Sequence, residues 1–163
     1  STMIPLDLTN DSALDALAKD ILNKWAKVDV LIHAAGIAPP MSPINSISLK
    51  DFEKSFATNT RALIKLIQVM DPLLKLSNCG KAIFIDDLNN GKFLAAYSAS
   101  KAAAREIVSS YKEESKRLGV SVETFIPNPM PTAIRSRFYP GESKENLSDI
   151  ISESSRLVSG LKS

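Results

Sequence analysis

Apolar and polar positions follow two different periods along the 163-residue chain. Short apolar runs of strand length stand at "MIPL" (3–6), "VDVLIHAAG" (28–36), "KAIFID" (81–86) and "VSVETFIP" (120–127). Between them apolar residues recur at three- and four-residue spacing, which is the signature of one buried helix face. Leu14, Leu17, Ala18, Ile21, Leu22 and Trp25 make the first such stripe, and the cap-forming Thr9, Asn10, Asp11 and Ser12 lie just before or at its start. Phe52, Phe56, Leu63, Ile67, Met70 and Leu74 make the second, on a long helix over 49–76 that Pro72 should kink or end. An Ala-rich helix is expected over 93–118, with Gly119 where a C-terminal cap belongs. Residues 128–143 read as irregular or briefly helical, and 146–160 as a modest amphipathic helix.

Strands that alternate with helices predict an α/β fold: a doubly wound parallel sheet, three layers deep, with right-handed crossovers. Unbroken runs such as "VLI" and "AIFI" fit strands buried on both sides. The length fits a single domain over 1–163. Composition narrows the function by exclusion. A net charge of +2 gives no electrostatic case for nucleic acid or an anionic membrane. A single cysteine, Cys79, forbids an intrachain disulfide and suits a reducing, cytoplasmic setting. With one histidine and one cysteine, no metal site is expected. No apolar run approaches the roughly 20 residues that span a bilayer.

The candidate chemistry sits in "YSASK" (97–101). Tyr97 and Lys101 are one helical turn apart and share a face. A free phenol has a pKa near ~10, and a cation within ~4–6 Å lowers it. Such a tyrosine can pass a proton to or from a carbonyl oxygen. A tyrosine packed on an aliphatic lysine stem is the plainer alternative. Asn59 falls on the apolar stripe of its helix, between Phe56 and Leu63, so its amide needs buried partners. His33 reads as a core or turn residue rather than a catalyst.

Five motifs in order give the chain a resemblance to the short-chain dehydrogenase/reductase family. "DLT" (7–9) is similar to the segment after the family's third strand. "HAAG" (33–36) is similar to its Asn-Asn-Ala-Gly turn. Asn59 matches the asparagine of the long fifth helix, and "YSASK" the catalytic Tyr-x-x-x-Lys. "PNPMPT" (127–132) is similar to the Pro-Gly-x-Val-x-Thr segment at the nicotinamide. The resemblance implies a Rossmann-like sheet with strands equivalent to the family's third to sixth, and hydride transfer between NAD or NADP and a small carbonyl or alcohol substrate. It implies Tyr97 as acid–base, Lys101 as its modulator and ribose ligand, and Asn59 as proton relay. It implies cofactor contacts from Asp7, Leu8, Ala35, Gly36, Tyr97, Lys101, Pro127 and Thr132, and a homodimer through helices 49–76 and 93–118. Arg135 and Arg137 can favour an anionic substrate.

Three departures qualify these expectations. The family's amino-terminal Gly-rich turn, which brings backbone close to a pyrophosphate, has no counterpart among the six glycines. A partial Rossmann-like domain is therefore expected, with two alternatives: "MIPL" moves onto the open edge of the strand at 28–36, or further sequence covers that edge. The family's catalytic serine is also missing, and Asp86 or Asp87 stands at the equivalent strand end. A carboxylate accepts hydrogen bonds where a serine would donate one, and it raises the pKa of a nearby phenol. Finally, Asn128 replaces the glycine after Pro127. A catalytically inactive descendant kept for assembly is the alternative function.

Overall fold

The computed structural model describes residues 2–161. Three strands, β1 (Val30–His33), β2 (Lys81–Ile85) and β3 (Ser121–Phe125), form a parallel sheet in the order β1-β2-β3. In register, Val30 faces Lys81 and Lys81 faces Ser121. Leu31, His33, Ala82, Phe84 and Val122 thus point to one face of the pleat, and Val30, Ile32 and Ile83 to the other.

The first face carries the core. Helices α1 (Asp11–Trp25), α3 (Ala62–Lys75) and α4 (Ala95–Ser115) cover it. Leu63 and Leu74 of α3 pack with Ala104, Val108 and Tyr111 of α4 over Ala82, Phe84 and Val122. Burying each such aliphatic or aromatic side chain is worth about 1.5–3 kcal/mol. Leu14 of α1, wholly buried, meets Leu66, Met70 and Leu73 of α3. The expected cap forms here: the Asn10 side chain accepts the Ala13 N–H at 3.1 Å.

The predicted long helix over 49–76 is interrupted, and the break lies at Asn59. Helix α2 (Leu49–Phe56) passes through a π-helical turn at Ala57–Arg61 into α3. Pro72 lies inside α3, which continues to Lys75. Gly80, just before β2, has no room for a side chain, because a Cβ would stand 2.3 Å from the Leu74 carbonyl oxygen.

The irregular segment after β3 contains a short helix, α5 (Ala133–Phe138), capped by Thr132. The last helix, α6 (Ile150–Ser159), is capped by Asp149 and lies on the sheet's second face. Arg156 of α6 stacks over the Phe125 ring at 4.2 Å, and Lys81 donates to the Gly160 carbonyl at 3.1 Å. The sheet is therefore flanked by helices on both sides.

One expected strand does not form. Residues 3–6 adopt no strand pairing, and Met3 and Ile4 are exposed. Four residues broken by Pro5, which has no N–H to give, make a poor edge strand. The "MIPL" segment therefore does not take the outer edge of β1. That edge instead borders an apolar groove of about 840 Å³, lined by Leu6, Leu8, Trp25, Val30 and Ile32 among others.

Candidate active site

The carboxyl ends of all three strands open into one cleft of about 500 Å³. Open parallel sheets hold ligands at this end. Ala34, Ala35 and Gly36 leave β1 as three small, exposed residues and form one wall. Asp86 and Asp87 leave β2, Tyr97 and Lys101 come from α4, and Pro127 to Met130 with Thr132 follow β3.

Asn59 organises the β1 side. Its Oδ1 accepts the Ile37 N–H at 2.8 Å, and its Nδ2 donates to the Ile37 carbonyl at 3.0 Å and to the Ser100 hydroxyl at 2.9 Å. The amide thereby fixes the chain just after Gly36 against helix α4. The π-turn puts this side chain among its partners, since an extra residue in the turn frees local backbone bonds.

Tyr97 is buried against Phe138, with the ring centroids 4.9 Å apart. Its hydroxyl donates to Asp87 Oδ2 at 2.7 Å. Asp87 also accepts the Asn89 N–H at 2.9 Å and the Asn89 side-chain amide at 3.0 Å. Tyr139 donates to Asn89 at 3.1 Å and closes the network. Burial pushes the Tyr97 phenol far above its ordinary range, and the hydrogen bond to Asp87, then the charges of Asp87 and Asp86, add to the rise.

Lys101 points elsewhere. Its ammonium donates to the Ile85 carbonyl at 3.1 Å and lies 3.6 Å from Asp86 Oδ1. Arg105, one turn further along α4, holds the other Asp86 oxygen at 2.6 Å. Asp86 is thus a buried carboxylate shared by two cations, with the Asp87 N–H on it at 2.8 Å. The expected lowering of the phenol pKa by Lys101 is overturned: the lysine's charge goes to Asp86, and the phenol faces a carboxylate.

His33, buried at the end of β1, lines a small cavity together with Lys101. Burial first, and the Lys101 charge second, lower its pKa to about 4, so it is neutral near pH 7. Asn128 adopts no left-handed backbone; among the described non-glycine residues only Ala26 and Phe93 do. Thr132 caps α5 by accepting the Arg135 N–H at 3.2 Å, which leaves its hydroxyl proton free to donate. Arg135 is bound by Glu142 through two nitrogens, at 2.6 and 2.5 Å, and stacks over Tyr139. Its charge is already answered within the fold.

The cleft brings together Ala35, Gly36, Asp86, Asp87, Tyr97, Lys101, Pro127 and Thr132, while Asn59 supports its wall from behind. Asp7 and Leu8 lie apart from it. Asp7 Oδ1 accepts the Thr9 N–H at 2.9 Å and its hydroxyl at 2.8 Å, and Leu8 packs toward α1 and lines the β1 groove. Groove and cleft meet at Ala34 and Ala35, which line both. Sequence reasoning missed Ser100, Arg105 and Tyr139. Only Arg105 left a signal, its i+4 spacing from Lys101.

Comparison with known proteins fixes the class. A family model described as short chain dehydrogenase matches residues 1–143. The chain belongs to the short-chain dehydrogenase family. It is 24% identical over 156 residues to an uncharacterised oxidoreductase of Staphylococcus haemolyticus, covering 91% of this chain and 67% of that protein. It is 29% identical over 133 residues to an NADPH-dependent aldehyde reductase-like chloroplast protein of Arabidopsis thaliana, covering 79% of this chain and 48% of that one. The chain thus spans between about half and two thirds of these relatives. A short chain dehydrogenase from Escherichia coli, solved with NADPH, superposes with a TM-score of 0.85 over 96% of this chain and 65% of that one, at 23% identity. One from Pseudomonas syringae gives 0.83 over 88% and 61%, at 25% identity.

The residues present fit the nicotinamide half of a dinucleotide. Small exposed residues at the end of β1 let a ligand approach backbone, and the Thr132 hydroxyl and Lys101 ammonium line the same cleft. Among the described residues nothing forms a glycine-lined cradle for the pyrophosphate, since Gly36 is the one glycine lining the cleft.

Proposed function

We propose that the protein is a nicotinamide-dependent oxidoreductase that reduces a small carbonyl substrate, with Tyr97 as the proton donor. The observation that carries this is the convergence of Tyr97, Lys101, Gly36, Pro127 and Thr132 on one cleft at the carboxyl ends of the strands. A bound nicotinamide would supply the hydride, with Thr132 placed to hold its carboxamide and Lys101 its ribose. Tyr97 gives its proton to the substrate oxygen as alkoxide character develops there. A phenol whose pKa is raised is a poor base for removing an alcohol proton near pH 7. It can still protonate an alkoxide, which is far more basic. Burial first, and the Asp87 contact second, therefore keep Tyr97 protonated near pH 7, the form that donates. Asn59 and Ser100 hold the β1 wall and α4 at a fixed separation during this step. A cytoplasmic homodimer goes with this function. The exposed row Ala99, Ala102, Glu106 and Ser109 of α4 consists mostly of small side chains, which permits close helix approach.

A second reading rests on the same carboxylates. Asp87 takes up the Tyr97 hydroxyl at 2.7 Å, and Asp86 takes up Lys101, so the site is inherited but silent. One experiment separates the two. Dinucleotide binding is titrated by NADH and NADPH fluorescence, and turnover is measured on an aldehyde and ketone panel for the wild type, Tyr97→Phe and Asp87→Ser. Wild-type turnover that Tyr97→Phe abolishes supports the reductase. Turnover that emerges only in Asp87→Ser, by a factor on the order of 10²–10³ as for gaining one transition-state donor, supports the silent descendant. A protein that binds neither dinucleotide overturns the reductase and leaves the inactive descendant standing.

A further inference from the structure

Helix α6 lies beyond the residues that match the family, yet it grips the floor of the cleft. Glu153, on its first turn, is buried at 5% exposure. Its Oε1 accepts the Asn128 side-chain amide at 2.7 Å, and its Oε2 accepts the Asn128 backbone N–H at 3.0 Å. Arg156 donates to the same Oε2 at 2.6 Å and, from the same nitrogen, to the Ile126 carbonyl at 2.9 Å. Just upstream of the helix, the Ser148 N–H donates to the Pro129 carbonyl at 2.7 Å. The hydrogen bond from Arg156, then those from Asn128, hold the Glu153 carboxyl below its usual range, so it is ionised near pH 7. Every second or third backbone group from Ile126 to Pro129 is thus tied to one short stretch of chain.

We infer that Glu153 is a positioning residue for the cofactor's nicotinamide end. It acts through Asn128, and it sets the path of the Ile126–Met130 loop that lines the cleft beside Tyr97 and Thr132. The side chain of Asn128 is what makes this possible. A glycine at 128 can offer only its N–H to a carboxylate, whereas asparagine offers two donors whose spacing matches the two carboxylate oxygens. The loop is therefore held from outside by α6. Asn128 needs no left-handed backbone to follow the path, and it has none. That the loop meets the nicotinamide rests on the proposed function; that Glu153 holds the loop does not.

The test separates those two parts. Amide hydrogen exchange is followed by mass spectrometry in the whole protein for the wild type, Glu153→Ala, Glu153→Gln and Asn128→Gly. Affinity is measured for the reduced dinucleotide the wild type prefers and for the matching ADP-ribose fragment, which lacks nicotinamide. Glu153→Ala is expected to speed exchange over 126–130 about tenfold or more, since it removes hydrogen bonds to a charged acceptor, and to leave α1 and α3 unchanged. Glu153→Gln keeps one acceptor and should fall between, as should Asn128→Gly. If Glu153→Ala does not fold, the Glu153→Gln and Asn128→Gly pair carries the same comparison. Dinucleotide affinity should fall by a similar factor while the ADP-ribose fragment binds as before. Unchanged exchange over 126–130 overturns the inference. Equal weakening of both ligands shows a merely structural role and also overturns it. Faster exchange in a protein that binds no dinucleotide keeps the loop-holding role and removes the proposed function instead.

Discussion

On the β3 side of the cleft, the chain after Phe125 is fixed by Glu153, Arg156 and the Ser148 amide, all from or beside a helix that covers the sheet. On the β1 side, the same second face of the sheet is bare. Val30 and Ile32 are each 41% exposed beside an apolar groove, and the turn after Gly36 is held by side chains, Asn59 on Ile37 and Arg137 on the Ala38 carbonyl. The clasped half carries polar groups of the cleft, among them Asp87, Tyr97 and Thr132. The open half has small residues and a largely apolar trough. The polar groups of the cleft thus gather on the clasped side, and the β1 side contributes small residues and apolar surface.

Asn59 is the sharpest point at which to break this contrast, because it is the open side's link to α4. Asn59→Ala strands the Ile37 N–H and carbonyl together, while the Ser100 hydroxyl keeps its bond to the Tyr97 carbonyl. Leaving buried polar groups unpaired costs about 1–3 kcal/mol each, so a loss of roughly 3–5 kcal/mol in urea unfolding is expected. A loss below about 1 kcal/mol would mean that water replaces the amide and that the β1 wall is not held by it.

Much of this was legible in the sequence, and the reasons differ by residue. The three strands at 28–36, 81–86 and 120–127 showed as apolar runs because both their faces meet protein or groove. Asn59 announced itself as a polar residue on an apolar stripe. The spacing of Tyr97 and Lys101 correctly put both on one helix face lining the cleft. It could not say that two successive aspartates would divide the pair, because that depends on which way each carboxylate turns at the end of β2. The Glu153 clasp was illegible for a similar reason: it joins residues 25 apart across a loop whose path no local pattern encodes. "MIPL" misled because strand propensity without an N–H at Pro5 does not make an edge strand.

His33 tests how tightly the open side is nevertheless sealed underneath. Its folded pKa is about 4, against about 6.5 when unfolded. Between those values the unfolded chain binds a proton that the folded chain refuses. Stability is therefore complete above about pH 6.5 and falls as the pH drops toward 4. The full shift corresponds to about 3 kcal/mol. Urea midpoints measured every half pH unit should show this slope, and His33→Asn should flatten it. The slope left in that variant belongs to carboxylates such as Glu153 and Glu142, whose lowered pKa values act at more acid pH. If wild type and variant run parallel from pH 6.5 to 4, water reaches the imidazole and its burial at the end of β1 is not maintained in solution.

The smallest effect is the most direct measure of the two edges. Val122 on β3 is 5% exposed and packed among α4 side chains, whereas Ile32 on β1 is 41% exposed on the bare face. Val122→Ala removes two buried methyl groups and should cost about 2 kcal/mol. Ile32→Lys should stay within about 0.5 kcal/mol, because the lysine stem can lie along the groove while its ammonium reaches water. A charge on an open edge also blocks edge-to-edge pairing, so the lysine variant should remain monodisperse at concentrations where the wild type self-associates through that edge. Thermal unfolding and light scattering read both outcomes. An Ile32→Lys penalty as large as that of Val122→Ala would mean that the β1 edge is covered in solution, and the asymmetry between the two halves would then vanish.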